Sequence, residues 1–320
     1  MLKINPLSTL YVGIDVSSKS NYVCALDFYK NKYINSSFAN NQPGAEELAL
    51  KILECLKEHP DITTIVAALE STSVYSIHIA NYLSSCEELM RFKPYVFVLN
   101  PKCTANYKKS YIGLGKSDPI DAFVIADFAR AGNIESEPWR GSQFLALKRL
   151  TRHRLHLVEC MTREKTYLVS NLYLKFSQLQ MLEGDDQPFC DIYGATSSSV
   201  LMEYFSPEEI LDSSEEDLIA FLAKKSRNRI KDISKTADLL KKAARDSYRL
   251  DKALYEPLNV SIASSFNCIE TFKREIKVID NAIEKEIKGL NPNAFIILQS
   301  IDGIGPVFAG GIIAEIGDIT

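Results

Sequence analysis

The chain has 320 residues, 46% of them hydrophobic, which suits two or three domains with real cores. No apolar run approaches the roughly 18 residues of a membrane span, and the N-terminus lacks the apolar stretch of a secretory signal. The seven cysteines stand singly without a Cys-x-x-Cys pair, which argues against a zinc knuckle or a disulfide framework. We therefore expect a protein of the reducing cytoplasm with no membrane contact.

The net charge of −4 is an average over unlike segments. Residues 140–175 hold eight Lys or Arg against two acids, and residues 221–252 hold eleven against four. Local basic surfaces of this kind suit contact with phosphate backbones. Solvated helix faces are the alternative for either segment taken alone.

The first hundred residues predict a mixed α/β sheet. Residues 10–16 and 21–29 are β-rich and flank a polar loop, which is typical of a hairpin, and residues 32–38 supply a third strand. A helix is then predicted over 45–58, a buried strand over 62–69, a helix over 74–83 and a strand over 95–99. Three strands in a meander, followed by strands that alternate with helices, predict a sheet of ribonuclease H type.

Four acids stand where these elements begin or end. Asp15 ends the first strand and Glu70 ends the strand over 62–69. Asp118 and Asp121 are three residues apart at the start of a helix predicted to run to about residue 130, so they share one face. Hard divalent cations take oxygen ligands, and two-metal sites cleave phosphodiesters by in-line displacement. The four carboxylates therefore predict a metal-dependent enzyme that processes nucleic acid.

Roles and alternatives follow from position. We assign the bridging carboxylate to Asp15 and expect Lys19 or Lys116 to meet the substrate phosphate. Taken alone, Asp118 and Asp121 also suit helix capping and the helix dipole, and Asp15 is also an ordinary strand-end acid. All four in this order favour the joint interpretation.

Beyond residue 138 the sequence is helical with few breakers. Apolar residues recur at steps of three and four over 258–290, a heptad pattern that predicts coiled-coil packing within one chain or between two. We expect a homo-oligomer, a dimer or tetramer, through this helical region. A long helix packed on its own domain is the alternative. Residues 297–320 predict two short apolar helices around Gly303 and Gly305, whose backbone N–H groups could hold a DNA phosphate.

Basic side chains in two further segments predict nucleic-acid contacts. Lys108 and Lys109 lie between Tyr107 and Tyr111, a mixture that suits stacking on unpaired bases, with surface packing as the alternative. A second cluster combines arginine with His153 and His156, which favours contacts with phosphate or solvent over a metal site. Its arginines are Arg149, Arg152 and Arg154.

Three short sequences together resemble the DEDD transposases of the insertion sequence 110 family, relatives of the Piv DNA invertase. They are residues 12–17 (VGIDVS), 68–72 (ALEST) and 116–122 (KSDPIDA). Residues 298–306 (LQSIDGIGP) through 314–318 (AEIGD) resemble the opening of that family's second conserved domain. Ser117 stands where the family usually has threonine.

The resemblance implies three regions: a RuvC-like catalytic domain of ribonuclease H fold over 1–138, a helical coiled-coil region over 139–292, and the start of a helix-hairpin-helix transposase domain over 293–320. It implies metal-dependent cleavage and exchange of double-stranded DNA in a bacterial cytoplasm, with Mg²⁺ or Mn²⁺ and, in many members, a structured noncoding RNA as guide. Asp15, Glu70, Asp118 and Asp121 match the acidic tetrad residue by residue.

The resemblance also implies a serine nucleophile well downstream of the glycine hairpin, and no serine of this chain takes that role. We therefore expect a chain truncated at its C-terminus. A RuvC-like structure-specific nuclease and a catalytically silent nucleic-acid-binding fragment remain alternatives. An actin-like ATPase would need a second phosphate loop and a Gly-rich adenosine motif, which the sequence lacks.

Overall fold

A computed structural model describes residues 4–71 and 73–317, and the chain folds into two compact units, Met1–Leu145 and Ala146–Thr320. Thr72 and Asp318, which belong to the sequence motifs above, and the end of the segment 293–320 lie outside the described residues. Within the described ranges, no helix has the length and apolarity needed to cross a membrane.

The first unit contains a five-stranded mixed sheet with helices on both faces. Its strands are β1 (Thr9–Val16), β2 (Ser20–Leu26), β3 (Lys32–Ala39), β4 (Thr64–Glu70) and β5 (Pro94–Leu99). Its helices are α1 (Gln42–Glu58), α2 (Ser76–Ser85), α3 (Glu87–Met90), α4 (Pro101–Lys108) and α5 (Asp118–Arg130). The strand order is β3-β2-β1-β4-β5, with β1, β2 and β3 antiparallel and β4 and β5 parallel to β1.

These elements confirm the predicted mixed α/β sheet, with element ends displaced by a few residues. The three-stranded meander, the helix α1 and the alternation of strands and helices after it occur in the predicted order. The prediction did not include the two short helices α3 and α4. Helix α4 turns out to matter, because it lies beside the acids at the end of the sheet.

Alternation along β1 sends its side chains into two separate cores. Leu10, Val12 and Ile14 join the core that α1 and α2 cover. Tyr11 joins the opposite core, where the sheet packs against α5. Asp15 has the same parity as Tyr11, so its side chain lies on the face that α5 covers.

Gly13 allows α5 to lie directly against β1. A Cβ at this position would stand 2.2 Å from the carbonyl oxygen of Ala122 and 2.3 Å from the backbone nitrogen of Ala126. Both are backbone atoms of α5, so a side chain here would push the whole helix away from the sheet. The absence of that side chain sets the depth of α5 and hence the position of its first turn beside the end of β1.

The described part of the second unit is helical. The long helix α6 (Ser142–Lys175) leads into it, and seven more helices follow. They are α7 (Ala195–Glu203), α8 (Pro207–Asp212), α9 (Glu215–Ser226), α10 (Ile233–Asp246), α11 (Lys252–Leu290), α12 (Pro292–Gln299) and α13 (Pro306–Ile316). Two apolar helices, α12 and α13, flank Gly303 and Gly305 as predicted, but α12 begins at Pro292, before the predicted segment 297–320.

Helix α11 contains the heptad pattern, and six of its ten apolar positions are buried within this chain. Ile262, Phe266 and Ile269 share a core with Leu168 and Leu172 of α6. Pro257 lies in the second turn of α11, before the pattern begins. The alternative of a long helix packed on its own domain accounts for this burial, and self-association through α11 stays a prediction.

Replacing Gly13 by alanine is expected to destabilise the first unit by about 3 kcal/mol, because the added Cβ meets backbone rather than a movable side chain. Gly115→Ala is the matched control, since a Cβ there has no atom within 4 Å; its effect should stay within about 0.5 kcal/mol. Urea denaturation followed by the fluorescence of Trp139, the single tryptophan, measures both variants. Equal midpoints for the two variants would contradict the close approach of α5 to β1.

Candidate active site

Two parallel strands deliver the first two acids to one edge of the sheet. Asp15 stands one residue before the end of β1, and Glu70 is the last residue of β4. Ile14 pairs with Leu69 in the parallel register, so the two acids follow side by side on the same face of the sheet. The carboxyl ends of parallel strands are where open α/β sheets bind ligands.

The first turn of α5 brings the other two acids to the same place. Ser117 occupies the N-cap position and Pro119 the first turn, which fixes where the helix starts. Asp118 is exposed and Asp121 is half-buried. All four acids line one cleft of about 620 Å³, called here the acid cleft. Its other polar lining residues are Thr104, Lys108 and Lys116.

Asp15 lies in a half-buried environment crowded by other carboxylates. Burial, together with the nearby carboxylates of Asp121, Asp118 and Glu70, raises the pKa of Asp15 to about 6. The ammonium of Lys108 offsets part of this effect. The acid cleft therefore holds more negative charge than its lysines neutralise. A bound cation would reduce the repulsion between the carboxylates.

Helix α4 supplies polar partners to two of the acids. The Thr104 hydroxyl donates a hydrogen bond to Oε1 of Glu70, and the Lys108 ammonium donates to Oδ1 of Asp121. Sequence reasoning missed Thr104 because it missed α4. The available signal was Asn100 followed by Pro101: the Asn100 side chain caps α4 by accepting from the backbone N–H of Lys102 at 3.0 Å.

The donor set of the acid cleft fits a hard divalent cation, since it consists of carboxylates with no thiol or imidazole among them. As the side chains stand, no group of three or more His, Cys, Asp or Glu in the described residues is arranged to hold a metal ion. Asp121 is paired with Lys108 and Glu70 with Thr104. The acids share a cleft, and ligation of an ion by Asp121 would compete with its ion pair to Lys108.

The predicted nucleic-acid-binding residues of the first unit are distributed differently. Lys108 and Lys116 line the acid cleft. Lys19 is exposed in the turn between β1 and β2 and is not among the lining residues. Lys109 is exposed, and its Nζ donates to Oδ1 of Asn106 at 3.1 Å.

The remaining predicted residues belong to the second unit. Arg149 and Arg152 line a cavity of about 640 Å³ together with His153 and Glu286, and Arg152 also pairs with Glu315 at 3.3 Å. Arg154 is half-buried, with its Nε 2.5 Å from Oδ1 of Asp280.

The glycine hairpin between α12 and α13 is open to solvent. Gly303 has a φ of 88°, which favours glycine, and Gly305 is the N-cap of α13. A Cβ at either position would meet no atom within 4 Å. The structure therefore leaves room for a ligand beside this backbone.

The raised pKa of Asp15 predicts a pH-dependent stability. The folded-state pKa of about 6 exceeds the ordinary value of 3.8, so ionisation of Asp15 weakens the folded state as pH rises through this window. In metal-free buffer, Asp15→Asn should melt at a higher temperature than wild type at about pH 7, and the difference should shrink as pH falls toward 3.8. Thermal melts across this range in the presence of a chelator test it. An Asp15→Asn variant that melts below wild type at neutral pH would contradict the claim that neighbouring carboxylates destabilise the ionised Asp15.

Comparison with known proteins identifies the family. The family model of the IS110 DEDD type, described as a transposase, matches residues 12–177, which is more than half of the chain. The match includes the second half of β1 and all of β4 and α5, and therefore all four acids of the cleft. No curated protein matches the sequence. The chain belongs to the DEDD transposases of the insertion sequence 110 family, enzymes that cleave and recombine DNA.

Proposed function

We propose that Asp15, Glu70, Asp118 and Asp121 form the two-metal centre of a DNA transposase, built on a RuvC-like domain of ribonuclease H fold. The observation that carries the proposal is that all four acids line one cleft although they come from three separate elements. The strand order β3-β2-β1-β4-β5, with the first three strands antiparallel, supports the ribonuclease H fold.

Mg²⁺ or Mn²⁺ held by these carboxylates would activate the attacking oxygen and stabilise the charge that develops on the phosphate. The chain's own residues have distinct parts. Asp15 suits the bridging position, because each of the other three carboxylates acts on its pKa. Lys116 is exposed and lines the acid cleft, where its ammonium would meet a phosphate oxygen of the DNA strand.

Lys108 has a second part in this proposal. Its ammonium neutralises Asp121 while no cation is bound, and it would be released when a divalent ion takes that carboxylate. The freed ammonium would then stand in the acid cleft beside the DNA backbone. The same side chain thus serves the empty and the loaded site.

We further propose that the second unit binds double-stranded DNA, and a structured noncoding RNA as guide, through the exposed basic face of α6. Arg149, Arg152 and His153 are exposed on this helix and lie together around one cavity. Exposed guanidinium groups suit contacts with backbone phosphates, which do not depend on base sequence and occur in both DNA and RNA. Arg154 would contribute less than Arg149, because its guanidinium is paired with Asp280.

Divalent cations are expected to stabilise the folded protein through the acid cleft. At a Mn²⁺ concentration about 100-fold above the dissociation constant, the stabilisation should reach about 2.7 kcal/mol. Asp15→Asn and Asp118→Asn should each remove most of it, whereas Asp61→Asn, an exposed acid of the same unit outside the cleft, should keep it. Thermal melts with Mn²⁺ and with a chelator make the comparison. Equal stabilisation of wild type and Asp15→Asn by Mn²⁺ would contradict the proposed centre.

Nucleic-acid binding is expected to weaken steeply with salt, because phosphate contacts release counterions. Arg149→Gln should reduce the slope of log K against log salt by about 1 and weaken all sequences alike. Arg274→Gln on α11 is the matched control; it removes the same charge from a residue paired with Glu275 outside the cavity. Fluorescence anisotropy with labelled duplex DNA over a salt series gives both slopes. The proposal that the basic face of α6 binds nucleic acid would be contradicted if Arg149→Gln and Arg274→Gln lower the slope equally.

A further inference from the structure

Helix α5 carries a further acid, Asp127, whose side chain is completely buried and is not part of the acid cleft. Its carboxylate is surrounded by donors from different parts of the first unit. Arg130 Nε lies 2.6 Å from Oδ1, Lys30 Nζ lies 3.2 Å from Oδ1, and the Tyr107 hydroxyl lies 2.8 Å from Oδ2. The Tyr111 hydroxyl also donates to Oδ2. These five residues are called here the Asp127 clamp.

The carboxylate of Asp127 stays ionised. Burial alone would raise its pKa, but hydrogen bonds from Tyr111, Arg130, Tyr107 and Lys30 outweigh burial and hold the pKa below the ordinary value. Two cations and two hydroxyls on one buried anion form a satisfied network, and such networks fix the geometry of the elements they join.

The Asp127 clamp joins α4 to α5 at a distance from the acids. Asp127 follows Asp121 by six residues, which places it about 9 Å farther along the axis of α5. Lys108 of α4 pairs with Asp121 in the first turn of α5. Tyr107 and Tyr111 donate to Asp127, farther along α5. Helix α4 is therefore attached to α5 at both ends of this stretch.

Apolar packing alone does not hold α4 in place. The helix has eight residues, and the only one that is buried is Thr104, whose hydroxyl bonds to Glu70. A helix this short is marginal without tertiary contacts. The polar bonds to Asp127, together with the edge-on contact of Tyr107 with Phe128 at 5.4 Å, are what orient its inner face.

Tyr111 also marks the base of an exposed segment. Residues 112–117 follow it directly and lead to the start of α5. Ile112 is fully exposed, Gly113 has a φ of 80°, and Lys116 lines the acid cleft. The hydroxyl contact of Tyr111 with Asp127 therefore anchors the segment that carries Lys116 to the cleft.

We propose that Asp127 is a positioning residue, which acts through Tyr107 and Tyr111 to hold α4 and the base of segment 112–117 so that Thr104 and Lys108 meet the acids of the cleft. The inference rests on the proposed function, because the placement of α4 affects chemistry only if those acids bind cations. Asp127 itself touches none of the four acids, so its effect passes through the α4 side chains.

Tyrosine-to-phenylalanine variants test the clamp, since they remove hydroxyls and keep the rings. The double variant Tyr107→Phe with Tyr111→Phe should raise amide hydrogen exchange in α4 by about tenfold while the amides of β1 and β4 keep their protection. Tyr29→Phe is the matched control, because it removes the hydroxyl of an exposed tyrosine in the same unit. Unchanged exchange in α4 would overturn the inference, whatever the protein does with metal.

A double-mutant comparison separates positioning from simple stabilisation. In the wild-type background, Thr104→Val should raise the Mn²⁺ dissociation constant by about fivefold, because it removes the hydrogen bond that orients Glu70. In the double phenylalanine background, the same substitution should have almost no effect, because Thr104 is no longer held in place. Equal fold-changes in the two backgrounds would overturn the positioning role. Failure of the wild-type protein to bind Mn²⁺ would refute the proposed function instead. The amide hydrogen exchange of α4 would then still test the Asp127 clamp.

Discussion

The acid cleft depends on how closely α5 lies against β1. At Gly13 the backbone of the helix occupies the space where any other residue would carry its Cβ. This contact places the first turn of α5, with Asp118 and Asp121, beside the strand end that carries Asp15. Glu70 reaches the same edge through the parallel register of β4 with β1. A glycine two residues before the first acid is thus a requirement of the site as much as of the fold.

The close approach of α5 to β1 also brings carboxylates together, and the nearby cations only partly offset their mutual repulsion. Burial and three neighbouring carboxylates raise the pKa of Asp15, and Lys108 offsets only part of the effect. By contrast, the fully buried Asp127 is satisfied by four donors, and its pKa is held low. The first unit therefore contains two kinds of acid environment: Asp127 on α5 is a satisfied anion that holds structure, and Asp15 on β1 is a crowded group suited to a cation.

The sequence predicted the parts of this arrangement that depend on local patterns. Apolar runs and the turn signals between them indicated all five strands, and the position of Asp15 and Glu70 at strand ends indicated a shared edge. Pro119 and the spacing of Asp118 and Asp121 indicated the start of α5. These features depend on neighbours within a few residues, which is why a single sequence reveals them.

What the sequence did not reveal depends on contacts between distant residues. Helix α4 was missed because it is short and buries only Thr104, so it has no apolar period to read. Asp127 lies in a helical run without any local sign that a lysine and two tyrosines would surround it. Tyr107 and Tyr111 suggested stacking on bases, whereas the structure supports the packing alternative, since both hydroxyls bond to Asp127. The heptad pattern of α11 could not distinguish a partner chain from the chain's own core.

The most direct measurement of the central claim is an anomalous-scattering map from crystals of the full chain loaded with Mn²⁺. The account predicts two peaks in the acid cleft about 4 Å apart, with carboxylate oxygens of Asp15 next to both. A map whose Mn²⁺ peaks lie only outside the cleft, with Lys108 still on Asp121, would contradict it.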